Sequence, residues 1–100
     1  MKQFFENKIA WIVGASSGIG EELARQLNRL GCKVVISARN VSKLEAVKES
    51  LEFPENVLVL PLDLENQADF KEKTDKVVAH FGRIDLLFNN GGLSQRGEAG

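Results

Sequence analysis

Gly14, Gly18 and Gly20, with Ser16 and Ser17 between them, form a Gly-x-x-x-Gly-x-Gly turn whose residue types suit an anion. Glycine has no Cβ to hold a phosphate off the main chain, and the first N–H groups of a helix have no acceptor within that helix. A turn of this kind that opens into a helix at Ile19 therefore presents free donors at the positive end of the helix dipole. Three further positions carry polar chemistry. Arg39 offers a guanidinium that can pair with a second phosphate, and Ser17 and Asn40 can add hydrogen bonds to it. Asp63, followed by Leu64, places a carboxylate after the third apolar run, and Asn89-Asn90-Gly91-Gly92 makes another open turn. Each also has a plain structural use. Ser16, Ser17 and Asp63 are capping or Asx-turn residues, Arg39 can be a solvated cation at a strand end, and the asparagines can simply form a turn.

Whether these positions meet depends on the elements between them. Ile9 to Val13 is an unbroken apolar run, as a strand covered on both faces requires. Ile19, Leu23, Leu27 and Leu30 then recur at helical spacing among Glu21, Glu22, Arg25 and Arg29, which predicts an amphipathic helix ended by Gly31. Lys33 to Ser37 reads as a second strand. Asn40 can cap a second helix with the apolar stripe Val41, Leu44, Val47 and Leu51, and Pro54 lies just beyond it. Val57 to Leu60, closed by Pro61, reads as a third strand. Asn66 can cap a third helix that buries Phe70, Thr74, Val77, Val78 and Phe81 and stops at Gly82, with Lys71, Glu72, Lys73, Asp75 and Lys76 as its solvated side. Ile84 to Phe88 is the fourth strand.

Strands alternating with helices of this length imply parallel pairing through right-handed crossovers. The expected fold is α/β, the βαβαβαβ half of a doubly wound, Rossmann-like parallel sheet with strand order 3-2-1-4. Winding reverses between strands 1 and 4, so the glycine turn and the Asn89 to Gly92 turn both come to the crevice at the carboxyl ends.

Bulk properties narrow the function classes. The 100 residues, 43% of them apolar, make one domain at most. A net charge of −1 gives no basic excess for nucleic acid, and no apolar run is long enough for a signal peptide or a membrane span. Cys32 is the only cysteine, so an internal disulfide is excluded and a buried thiol in a cytoplasmic protein is expected. His80 has no second histidine to share a metal with, and Trp11, amid apolar neighbours, is a core residue.

Gly14-Ala15-Ser16-Ser17-Gly18-Ile19-Gly20 after strand 1, Asp63-Leu64 after strand 3 and Asn89-Asn90-Gly91-Gly92 after strand 4 resemble, in the same order, features of the short-chain dehydrogenase/reductase family. The resemblance covers essentially all of the chain. It implies that these residues hold a nicotinamide dinucleotide, with Asp63 accepting from the adenine amino group. It further implies hydride transfer between the nicotinamide and a carbonyl or alcohol of a small-molecule substrate. A family member using NAD would place an acidic side chain at the end of strand 2; Ala38 and Arg39 stand there instead, so NADP is expected over NAD. Val13 replaces the usual Thr, which removes a hydroxyl that would tie strand 1 to the strand-4 loop, and Gly91 replaces the usual Ala. Gly91-Gly92-Leu93-Ser94-Gln95-Arg96 looks most like the branch called dehydrogenase/reductase member 7, whose relatives are described as carbonyl, retinoid or steroid reductases.

In this family a Tyr gives or takes the proton, a Lys lowers its pKa and a Ser fixes the substrate oxygen, all on strand 5 and beyond. The chain has no tyrosine, so no catalytic residue is assigned in it. The expectation is that residues 1–100 are the cofactor-binding part of a single domain, incomplete at its C-terminus, inactive alone and prone to self-association through an open strand-4 edge. A non-catalytic dinucleotide-binding module is the alternative.

Overall fold

The computed structural model of the chain describes residues 5–15, 18–63 and 66–89, apart from the side chain of Gln67. β1 (Ile9–Val13) leads to α1 (Gly18–Arg29), β2 (Lys33–Ser37), α2 (Val41–Ser50), a 3-10 turn (Pro54–Asn56), β3 (Val57–Val59), α3 (Gln67–Phe81) and β4 (Leu86–Asn89). Every pairing is parallel and the strand order is β3-β2-β1-β4, as the alternating pattern predicts. The register sets Val13 opposite both Ser37 and Asn89, so β1, β2 and β4 end level with one another.

β1 has neighbours on both sides and is buried throughout, which explains its unbroken apolar sequence. Its alternate residues serve two cores. Ala10 and Ile12 join Val34, Ile36, Ala24, Leu27, Leu44 and Val47 beneath α1 and α2. Ile9, Trp11 and Val13 join Val35, Leu60, Leu62 and Val77 beneath α3, with Phe70, Phe81 and Ile84 half-buried against them. Helix ends follow the sequence. Asn40 Oδ1 accepts from the Lys43 N–H at 3.1 Å, Asn66 Oδ1 accepts from the Asp69 N–H at 3.2 Å, and Gly82 closes α3 in the left-handed conformation.

Helix faces depart from the predicted stripes. Of the predicted stripe Ile19, Leu23, Leu27 and Leu30, only Leu27 is buried; α1 buries Gly20, Ala24 and Asn28 with it, a face rotated by about one residue. The small residues Gly20 and Ala24 let the helix lie close to the sheet, so they take the inner face; Leu23 flanks it and Ile19, in the first turn, is 76% exposed. Val41, in the first turn of α2, is exposed too. On α3 Val77 is fully buried, while the adjacent Val78 faces solvent because no described residue covers that side.

Strand limits differ as well. β3 ends at Val59, one residue short of the predicted Leu60, while ladder-like bonding runs on past Pro61: the Leu60 and Leu62 N–H groups donate to the Ile36 and Ala38 carbonyls at 3.0 and 3.1 Å. On an edge strand the missing N–H of Pro61 falls on the unpaired side and costs no ladder bond. β4 begins at Leu86, later than the predicted Ile84, because Asp85 enters the sheet partly by its side chain. Its N–H donates to the Ile9 carbonyl at 2.9 Å while its Oδ2 accepts from the Ile9 N–H at 2.8 Å. That bond, and then the Arg83 guanidinium at 2.9 Å, hold the Asp85 carboxyl below the usual carboxylate range. Cys32 is buried as predicted, its Sγ 3.3 Å from the Phe5 carbonyl, and burial pushes its thiol pKa up.

Candidate functional site

The glycine turn is built by the carboxyl ends of β1 and β2 together. Gly14, at φ 84°, takes a left-handed step that a side chain disfavours, and this turns the chain out of the sheet. The Gly14 and Ala15 N–H groups both donate to the Ser37 carbonyl, at 2.7 and 3.2 Å. Ser37 is itself fixed: it is fully buried, and its Oγ accepts from the Trp11 indole Nε1 at 2.8 Å. Neither Ser37 nor the indole bond was legible as a site feature, because nothing in a strand sequence says which carbonyl will catch the next turn.

α1 starts at Gly18, whose φ is 60°. A Cβ built there meets nothing within 4 Å, so the space in front of this residue is open. The positive φ is a reason for glycine here that the expected clearance for a phosphate did not include. Gly20 packs on the sheet, as expected for the third glycine, and Ile19 stands exposed beside the open turn. Ser16, Ser17, Leu64, Asn90, Gly91 and Gly92 lie outside the described residues.

A second part of the site is an open cleft of about 300 Å³ lined by Arg39, Pro61, Leu62, Asp63, Asp69 and Lys73. It lies at the carboxyl ends of β2 and β3, so two of the predicted residues, Arg39 and Asp63, share one cavity. Arg39 is exposed and makes no hydrogen bond or ion pair among the described residues. Asn40 beside it is committed through Oδ1 to capping α2. Asp63 does not cap α3; Asn66 does, which removes one structural alternative for Asp63. Instead the Asp63 N–H donates to Asp69 Oδ2 at 3.0 Å, and Asp69 pairs with Lys73 at 3.6 Å.

Sequence reasoning passed over Asp69 and placed Lys73 on a solvated face. The available signals were the Asn66-x-x-Asp69 spacing of a capping box and the Asp69–Lys73 separation of one helical turn. Among the described residues no group of His, Cys, Asp and Glu side chains is arranged to hold a metal ion, and no helix is long and apolar enough to cross a membrane.

Open space at the start of α1, a cation without a partner among the described residues and a cleft bearing Asp63 thus stand at the carboxyl ends of β1, β2 and β3. The short chain dehydrogenase family profile matches residues 8–100. The chain belongs to that family. Human dehydrogenase/reductase SDR family member 7 is 53% identical over 93 residues, 88% of this chain and 27% of that protein. The curated relatives it matches include others of the member 7 branch, and the chain spans less than a third of their length. Among solved structures, a short chain dehydrogenase from Bacillus anthracis superposes with a TM-score of 0.80 at 37% identity, over 86% of this chain and 35% of that one. A metagenomic short-chain oxidoreductase in complex with NADP gives 0.79 at 34% identity, over 89% and 41%. A 3-ketoacyl-(acyl-carrier-protein) reductase from Brucella melitensis complexed with NADH gives 0.76 at 34% identity, over 83% and 33%. This is therefore a short-chain dehydrogenase chain with a Rossmann-type sheet, and two of these solved relatives hold NADP or NADH.

Proposed function

We propose that residues 1–100 form the nucleotide-binding part of an NADP(H)-dependent oxidoreductase domain. The observation that carries this reading is Arg39, an exposed cation without a described partner, on the cleft that also holds Asp63 and directly after Ala38. Where an acidic residue would take the ribose 2′-hydroxyl, this chain offers a guanidinium for a 2′-phosphate.

The residues present fit the dinucleotide. Gly14 and Gly18 would bring the main chain and the N-terminus of α1 to the pyrophosphate, and the open space before Gly18 leaves room for it. Arg39 would hold the 2′-phosphate, with Ser16, Ser17 and Asn40 beside these anions, and Asp63 with Leu64 would border the adenine. Asn90, Gly91 and Gly92, following β4, would flank the same crevice, and Ile19 would shield it from water. When bound, the nicotinamide supplies the hydride donor or acceptor for a small carbonyl or alcohol substrate. In this reading the protein is cytoplasmic and self-associates.

The test is equilibrium titration of the full chain with NADP+ and NAD+, alongside Arg39→Ala. The wild type is expected to favour NADP+, and the variant to lose about 10- to 150-fold in NADP+ affinity, the range of one charge-assisted hydrogen bond. NAD+ affinity should change little. Equal affinities in the wild type would overturn the preference.

A second reading rests on the lack of any tyrosine in these 100 residues. With no such proton donor present, this polypeptide alone would bind the dinucleotide without turning it over. NADPH oxidation by the 100-residue chain with a panel of carbonyl compounds separates the two; any turnover would remove the non-catalytic reading.

A further inference from the structure

The first turn of α3 holds the main chain of Asp63 from both sides. Its N–H donates to Asp69 Oδ2 at 3.0 Å, and its carbonyl accepts from the Asn66 N–H at 3.1 Å. Asn66 Oδ1 in turn accepts from the Asp69 N–H, as an N-cap does. In an ordinary capping box the side chain at the Asp69 position would return to the cap residue's own N–H. Here that N–H is already given to Asp63, and the Asp69 carboxylate reaches past the cap to Asp63 itself.

Both oxygens of Asp69 are engaged. Oδ2 takes the Asp63 N–H, and Oδ1 lies 3.6 Å from Lys73 Nζ, on a lysine whose side chain is only 18% exposed. An ion pair at this spacing on a fully solvated face would contribute little. This one is mostly out of water, carries a main-chain bond besides, and borders the same cleft as Arg39. One residue earlier, the Leu62 N–H is bonded to the Ala38 carbonyl, so the backbone beside Asp63 is also tied to the strand end that presents Arg39.

We propose that Asp69 is a positioning residue for the adenine end of the cleft. It fixes the main chain of Asp63, and through it the carboxylate that meets the adenine amino group, while Lys73 holds Asp69 in that orientation. The inference rests on the proposed role of Asp63 as adenine acceptor. A carboxylate accepts from the 6-amino group of adenine and repels the 6-oxygen of hypoxanthine. The ratio of affinities for the two bases therefore reports where Asp63 stands, and a uniform loss of stability or binding leaves it unmoved.

The test uses calorimetric titration of the full chain with NADP+ and with its hypoxanthine analogue. The wild type is expected to prefer adenine by about tenfold or more, as a site built to hydrogen-bond one partner discriminates against its analogue. Asp69→Ala should lower the ratio by about fivefold, in line with loss of positioning. Asp69→Asn, whose Oδ1 still accepts from the Asp63 N–H, should stay within about twofold of the wild type. Lys73→Met, a change on the helix flank that decides the matter if Asp69→Ala does not fold, should lower the ratio by about two- to threefold. An unchanged ratio in Asp69→Ala, or in Lys73→Met where that variant alone is folded, overturns the positioning role even if both affinities fall together. A wild type that does not discriminate between the bases overturns the Asp63 reading itself, a distinguishable result.

Discussion

Beneath α1 and α2 the sheet is covered by two helices that bury Ile12, Val34, Ile36, Leu44 and Val47, whereas on its other face α3 is the one helix among the described residues over Trp11, Val13, Val35 and Leu62. On that second side Phe70, Phe81 and Ile84 are only half-buried, Val78 is exposed, and Leu87 on β4 is 51% exposed. The first face is held by apolar area. The second relies more on directional contacts: the Trp11 indole on Ser37, the ring of Phe70 stacked on Trp11 at 5.3 Å, and Asp69 on the Asp63 main chain. Such contacts fix orientation better than they add stability. The Asp63 wall of the cleft lies at the end held in this second way.

The comparison is open to direct attack. Leu44→Ala, in the sealed face, should lose about 3 kcal/mol in urea denaturation, the usual cost of a cavity at a fully buried leucine. Phe70→Leu, on the thinner face, should lose only about 1 kcal/mol, since the ring is half-exposed and an aliphatic side chain replaces part of its packing. Equal losses would mean that the two faces are equally tight. Leu87→Lys should leave the unfolding free energy within about 0.5 kcal/mol, as a surface change does, while light scattering shows smaller species if β4 is where copies meet. An unaltered size distribution would place any association elsewhere.

The smallest effect is at Asp85. Its folded-state pKa is lowered, so its contribution is complete above the unfolded aspartate value of about 3.9 and is lost as pH falls through the lowered folded value. Asp85→Asn should therefore be less stable than the wild type at neutral pH, and the gap should narrow below about pH 4. A gap that stays constant across that range would show that the charge of Asp85 contributes nothing.

Much of the fold was readable because each signal was local. Asn40, Asn66 and Gly82 mark helix ends through their own chemistry, and β1 declares its central place by having no polar residue at all. Alternation and handedness gave the parallel sheet, and the usual order of doubly wound sheets gave 3-2-1-4. What failed depended on distance in space. The inner face of α1 is set by how closely Gly20 and Ala24 let it approach the sheet, which apolar spacing alone does not reveal. Asn28, a polar residue that no sequence signal singles out, is buried and exchanges two 2.9 Å bonds with the main chain of Phe53. In the site, Arg39 and Asp63 were legible as residue types at strand ends. The hold of Asp69 on Asp63 was not, because it required knowing that the cap's own N–H would be taken.

Trp11 also makes the chain its own optical probe. It is the only tryptophan, there is no tyrosine to compete with it, and its ring is wholly buried against Phe70 of α3. Near-ultraviolet emission from this protein therefore comes from one indole, and that indole sits on the thinly covered side of the sheet. If α3 lifts from the sheet before the other helices loosen, fluorescence will shift to longer wavelength while far-ultraviolet dichroism still reports helix. The separation between those two curves would measure, without any label, how independently the Asp63 end of the cleft can open.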